Sequence, residues 1–296
     1  MNDRLLPAIA FRLASVLAFA TMGALIKLAE LRGAGLIELL FFRQLASLPV
    51  VLVSVSIGAG IVTLKTQRIS VHFLRTTLGL TSMAFMFATV LLVPLAEATT
   101  LQFTVPIFAT ILSAVVLREA TGWHRWGAVV LGFVGIVIVA QPWSGQFPAV
   151  GIATGLTAAL LSATVSILLR RIGATERPTT TVFWFSLLSL VPLAPLFAMT
   201  AVMHEATTWA LLVAVGVVGG AGQIAMTTSL KLAPVAVVVP MDYSGLIWAT
   251  AYGWLIFGVL PTPYTWLGAP LIVASGLYIV WREHRLQRTT TGVVVE

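Results

Sequence analysis

The sequence predicts an all-α membrane protein of ten transmembrane helices arranged as two inverted five-helix repeats, on three observations: composition, run length and internal repetition. Of the 296 residues, 59% are hydrophobic and only 9% charged, a balance that no soluble domain needs. The apolar runs recur at the length of about 20 residues that a hydrocarbon core about 30 Å thick demands. Backbone groups in lipid must be satisfied within the segment, so runs of this length are helices; a barrel would show alternating segments of about ten residues instead.

Charges, prolines and glycines divide the chain into ten candidate spans, at about 8 to 29, 36 to 57, 71 to 92, 94 to 117, 124 to 141, 149 to 170, 180 to 201, 208 to 229, 233 to 257 and 264 to 282. The first contains Arg12 and Lys27 and is too long for the apolar core of a signal peptide. Cations set the orientation. Arg4, Lys65, Arg68, Arg75, Arg118, Arg125, Arg170, Arg171, Arg177, Lys231, Arg282, Arg285 and Arg288 gather on one side, against only Lys27 and Arg32 on the other. By the positive-inside rule both termini face the cytoplasm, as expected for a multi-pass protein of the cell inner membrane.

The repeat divides the chain at residue 143, giving halves 1–143 and 144–296 within one membrane unit. At an offset of 143, Thr21 meets Thr164, Lys27 meets Arg170, Phe42 meets Phe185 and Pro49 meets Pro192. After gaps, Gly127-Ala128, Gly135, Ile138 and Val139 match Gly268-Ala269, Gly276, Ile279 and Val280. Five spans per half is an odd number, so the second half enters the membrane inverted. Two such halves can expose one midplane site to either side in turn, which is alternating access.

Several functions are not expected. The net charge of +7 is spread along span ends rather than gathered in a stripe, which fits lipid headgroups and not nucleic acid. Cysteine is absent, and the four histidines, 72, 124, 204 and 284, lack ligand spacing, so neither a disulfide framework nor a metal site is expected. The motifs of intramembrane or zinc hydrolases are missing, no cofactor loop is present, and an enzyme is not expected. A channel, the distant alternative, asks for rings of repeated polar groups. Oligomeric state is not readable.

The order of the motifs resembles the EamA type of the drug/metabolite transporter (DMT) superfamily. The motifs are Leu39-Leu40-Phe41-Phe42-Arg43 in span two, Leu95-Ala96-Glu97-Ala98 opening span four, and Leu117-Arg118-Glu119 before Trp126-Gly127. The second half departs from the pattern: Phe257-Gly258-Val259-Leu260-Pro261 lacks the usual acid and Ser186 stands where Arg43 has its repeat partner. The resemblance implies export of small metabolites, most closely in the manner of the YddG-type amino-acid exporters. It also implies a cavity between spans one, three, four, six, eight and nine.

Asp242 is the leading candidate residue, about nine residues or 13 Å into span nine. An acid at that depth is a functional hypothesis by default: a proton site, or an acceptor for a substrate ammonium. The alternative is an Asp bonded to a neighbouring helix that holds the bundle together. Pro240 and Gly245 beside it either open the helix or merely pack. Thr99, Gln102, Pro106, Thr110 and Ser113 fall on one face of span four, which lines a cavity or bonds to other helices. Gln223, Ser162, Ser166 and Thr21 offer further polar groups, and Phe103, Tyr243 and Trp248 offer aromatic walls. Arg43 is expected to pair with another helix, to snorkel, or to steer a carboxylate. A zwitterionic amino acid would use an acceptor, donors and a wall; a lipophilic cation, the alternative substrate, would use chiefly an acid and a wall. The expected partners are thus a small molecule and membrane lipid.

Overall fold

The computed structural model describes residues 5–58, 60–115, 122–173, 176, 178–233 and 238–292. Every span of the sequence reading is present as helix, in order. Span one is Leu5–Glu30, span three Ile69–Leu92, span five Trp123–Ala140, span six Ala149–Gly173, span seven Pro178–Thr200, span eight Ala206–Leu232 and span ten Pro263–Gly292. Among the described residues, nine spans are long and apolar enough to cross a membrane.

Three spans are interrupted, and proline chemistry accounts for where. A proline inside a helix lacks its N–H and crowds the carbonyl four residues earlier. Span two accordingly stops at Leu45, four residues before Pro49, and resumes at Ser47–Ile57 after its first piece, Leu36–Leu45. Span four stops at Gln102, four residues before Pro106, and resumes as Val105–Val115. Span nine, expected over 233–257, takes the opened one of the two forms that Pro240 and Gly245 allow. A 3-10 turn, Val239–Ser244, carries Pro240 near its start and Asp242 at its centre, and an α-helix of 13 residues follows from Gly245 to Phe257. Pro192 and Pro195 lie within span seven without dividing it.

The packing has the two-fold character that inverted halves require. Span one lies along span eight, span three along span six, and span five along span ten. Exchanging the halves turns the first pairing into the second and the third into itself. The pairings of span one with nine and of six with four are related in the same way. At the five-ten crossing the backbones nearly touch: a Cβ on Gly135 would lie 2.8 Å from the Gly268 carbonyl oxygen, and one on Gly268 would lie 2.6 Å from that of Gly135. Small residues at a helix crossing permit this approach in lipid, where van der Waals contact drives association.

Exposed apolar side chains, among them Val191, Leu255, Leu267 and Trp266, ring the outside. In a membrane protein this is the surface that lipid covers. Inside, one apolar cluster centres on Ile26, Leu39, Phe87 and Leu212, and a second on Ile107, Val139 and Ile272. A cavity lies between spans one, three, four, eight and nine.

Candidate functional site

The broken spans aim polar groups inward. Because span four stops at Gln102, its first piece presents Thr99 and Gln102 to a cavity of about 210 Å³, while the turn of span nine presents Asp242 to the same space. Span one supplies the other wall through Arg12, Ser15, Val16, Phe19 and Gly23, and Met86 and Met226 close the sides. No lining residue comes from span six, in contrast to the helix set implied by the resemblance.

Asp242 is not alone. The guanidinium of Arg12 donates to both of its carboxylate oxygens through Nε and Nη2. This fork-on-fork geometry is the strongest form of the ion pair. Arg12 is 8% exposed in its side chain and Asp242 is 34% exposed, so the carboxylate is the member that opens to the cavity. Burying two charges costs several kcal/mol per ion unless they meet each other, and leaving either unpaired costs more than the pair contributes. The pair also joins span one to span nine, which lie in different halves.

Two donors on residues that line this cavity, Nη1 of Arg12 and Nε2 of Gln102, are buried without a hydrogen-bond partner. Buried donors are normally satisfied, so these two mark where an acceptor on a ligand would be received. The site thus offers free donors on one side and a half-open carboxylate on the other, within a wall that is mostly apolar.

The remaining sequence candidates take other positions. Thr21 donates to the Leu17 carbonyl and stands 2.8 Å from the Tyr252 hydroxyl, a further tie between spans one and nine. Phe103 packs edge-on against Tyr243, with ring centroids 4.9 Å apart, behind the cavity wall. Ser162 bonds with Ser82 of span three at 2.8 Å, and Ser166 donates to the Ser162 carbonyl on an exposed face. Gln223 is partly buried and Trp248 is exposed; neither lines the cavity. On the second piece of span four, Thr110 bonds back to the Pro106 carbonyl, so the polar stripe expected along the whole span reaches the cavity only in its first half. The Leu117-Arg118-Glu119 segment lies outside the described residues.

Beyond the cavity, toward the end of span one, Lys27 donates to the carbonyls of Val90 and Val93 at 2.9 and 2.7 Å, capping span three. Glu97 accepts from the Thr265 hydroxyl at 2.8 Å and from the Thr262 amide at 3.2 Å. Nearby, Glu38 takes up the His204 ring nitrogen at 2.9 Å and the Gly35 amide at 2.7 Å. These contacts tie the span ends together on the face opposite the termini, where Lys27 and Glu97 also line a second cavity of about 280 Å³.

The sequence signal missed here is Arg12. It was visible as a cation inside an apolar run, which is rare enough to call for a partner. That the partner is Asp242, 230 positions later, follows only from the packing of span one against span nine.

Comparison with known proteins agrees with this architecture. The model of the EamA-like transporter family matches residues 6–141 and again 149–281. The riboflavin transporter of Vibrio cholerae is 31% identical over 78% of this chain and 78% of its own. The pseudopaline exporter CntI of Pseudomonas aeruginosa is 26% identical over 87% of this chain and 90% of its own. The S-adenosylmethionine uptake transporter of Rickettsia bellii is 28% identical over 84% of each. A solved crystal structure matches with a TM-score of 0.62 over 97% of this chain and 99% of that one, at 20% identity, and supports the fold alone.

Proposed function

Since the chain belongs to the EamA-like transporter family, and so is a multi-pass transporter of small molecules, we propose that it carries a zwitterionic metabolite of the amino-acid class by alternating access. The single observation behind this reading is the charge arrangement of the central cavity. Arg12 Nη1 and Gln102 Nε2 stand free as donors, and the carboxylate of Asp242 is partly open beside them. A substrate carboxylate fits the donors and a substrate ammonium fits Asp242. A zwitterion satisfies both without changing the net charge of the buried site, so no uncompensated ion is created on binding.

The same arrangement disfavours a lipophilic cation. Such a ligand would compete with Arg12 for Asp242 and leave a guanidinium unpaired at membrane depth. The relatives named above are a riboflavin transporter, a pseudopaline exporter and an S-adenosylmethionine uptake transporter, not amino-acid exporters. The riboflavin transporter favours a second reading, in which a neutral heteroaromatic metabolite lies between Met86, Met226 and Phe19 and uses Gln102 alone. Both uptake and export occur in these names, so the direction of transport follows the substrate gradient in this account.

Counterflow in proteoliposomes tests the reading, with neutral, acidic and basic amino acids, riboflavin, S-adenosylmethionine and a lipophilic cation as the panel and empty liposomes as control. Saturable movement of a zwitterion is expected. Movement of riboflavin alone supports the second reading, and movement of the cation alone contradicts both.

A further inference from the structure

The cavity leaves two buried cations out of account. Arg43 in span two is 2% exposed and Arg75 in span three is 5% exposed, yet neither forms an ion pair with any described carboxylate. Nε of Arg43 and both Nε and Nη1 of Arg75 have no hydrogen-bond acceptor. The carboxylates that might serve are engaged elsewhere: Asp242 with Arg12, Glu38 with His204, and Glu176 with the Thr66 hydroxyl at 2.7 Å and, more distantly, with His72. A guanidinium cannot be discharged at any accessible pH to relieve this.

The direction of Arg75 sharpens the point. It lies six residues into span three, about 9 Å from the helix end at 1.5 Å per residue, close enough for its stem to carry the charge out to the headgroups. It turns the other way. Its Nη1 lies where a Cβ on Gly79, one helical turn deeper, would come within 3.0 Å, and its guanidinium stacks over the Phe185 ring at 3.8 Å. Arg43 lies with its Nε against Gly219 of span eight, and Ser47, one turn further along span two, bonds to Ser186 beside the Phe185 ring that carries Arg75. Two like charges therefore approach the same stretch of span seven inside the bundle, where burial calls for an anion beside them.

Small polar groups of the same three spans accompany these arginines. Gln44 Nε2 reaches Ser189 at 3.3 Å, Ser47 and Ser186 bond at 3.0 Å, and the Thr76 hydroxyl, beside Arg75 in sequence, is buried without a partner. These residues come from spans two, three and seven, none of which supplies the Arg12–Asp242 pair.

We propose that spans two, three and seven hold one small anion between Arg43 and Arg75, separate from the central cavity. Two guanidinium groups and a free hydroxyl suit a halide or a carboxylate, which they contact through N–H and O–H donors. Such an ion cancels one of the two charges and ties span two, three and seven together. This inference does not depend on the identity of the transported substrate.

The test is thermal unfolding of the purified protein in detergent while sodium HEPES, whose anion is too bulky for the seam, is replaced at constant ionic strength by sodium chloride, bromide or acetate. A saturable rise in melting temperature is expected in at least one series, and Arg43→Gln and Arg75→Gln each weaken the apparent affinity at least tenfold. A rise with halide places the ion's source in the medium, and a rise with acetate alone assigns the site to a carboxylate. If the wild-type protein melts identically in all four salts, or if both variants keep the full response, the proposal is overturned. The wild-type titration decides the matter even where a variant does not fold.

Discussion

At the residue scale, Arg12 and Asp242 show what a membrane sequence reveals and withholds. An acid at membrane depth announces itself, because apolar surroundings make any charge there conspicuous. Its counter-ion does not, because no helical spacing links positions 230 apart. Removing one member leaves the other buried and unpaired, which costs about 3–5 kcal/mol, whereas replacing both by apolar groups of similar volume is close to neutral. Arg12→Leu and Asp242→Leu should therefore each lower the melting temperature more than the double variant does, while all three abolish transport. A loss in the double variant equal to the sum of the two single losses would show that the two side chains do not depend on each other. Gln102 belongs to the same scale. Its amide donor hydrogen-bonds to no protein group, so Gln102→Ala should leave the melting temperature nearly unchanged and weaken substrate affinity about tenfold, roughly 1.4 kcal/mol.

At the element scale, the helices were legible and their interruptions only partly so. Span lengths follow from hydropathy, and Pro106 and Pro240 are visible in the sequence. Which prolines divide a helix is not, since Pro192 and Pro195 sit inside an unbroken span seven. The difference lies in what receives the freed carbonyl and in how neighbours pack. The break at Pro106 is what turns the Gln102 end of the first piece toward the cavity. Pro106→Ala restores a backbone donor and is expected to straighten span four, to raise thermal stability and to reduce transport severalfold. Wild-type transport in a more stable Pro106→Ala would show that the interruption has no part in the site. The glycine contact between spans five and ten makes a second demand. At Gly135 a Cβ would meet backbone oxygen at 2.8 Å, which a side-chain rotation cannot relieve. Gly135→Leu should destabilise by about 1–3 kcal/mol or more, read as a fall in melting temperature with loss of folded protein in size-exclusion chromatography.

At the scale of the whole molecule, the two-fold pairing of helices is the arrangement that the proposed alternating access requires. The Arg12–Asp242 pair joins the halves near the start of span one, and Lys27 and Glu97 tie spans three and four to their neighbours near its end. A cavity bounded by one set of ties at each end can open at either end only when that set parts. The repeat was readable from a handful of matched residues; the resulting contact between spans one and eight was not, because a repeat fixes symmetry and not distance. Orientation is open to direct measurement, and the absence of cysteine from the chain removes any background. With both termini expected in the cytoplasm, a cysteine in place of Ser144 should react with a membrane-impermeant maleimide added outside intact cells. One in place of Gln67 should react only after lysis. The reverse pattern would invert the topology.

The central claim is that the cavity receives the two charged ends of one zwitterion on separate groups, the carboxylate at Arg12 and Gln102 and the ammonium at Asp242. It is tested most directly by competition in counterflow, using the transported amino acid, its methyl ester and its amine-lacking analogue against wild type, Asp242→Asn and Arg12→Gln. The account predicts a crossed result: Asp242→Asn loses discrimination against the amine-lacking analogue, Arg12→Gln loses it against the ester, each by about tenfold or 1.4 kcal/mol. Unchanged preference for the intact zwitterion in both variants would contradict it.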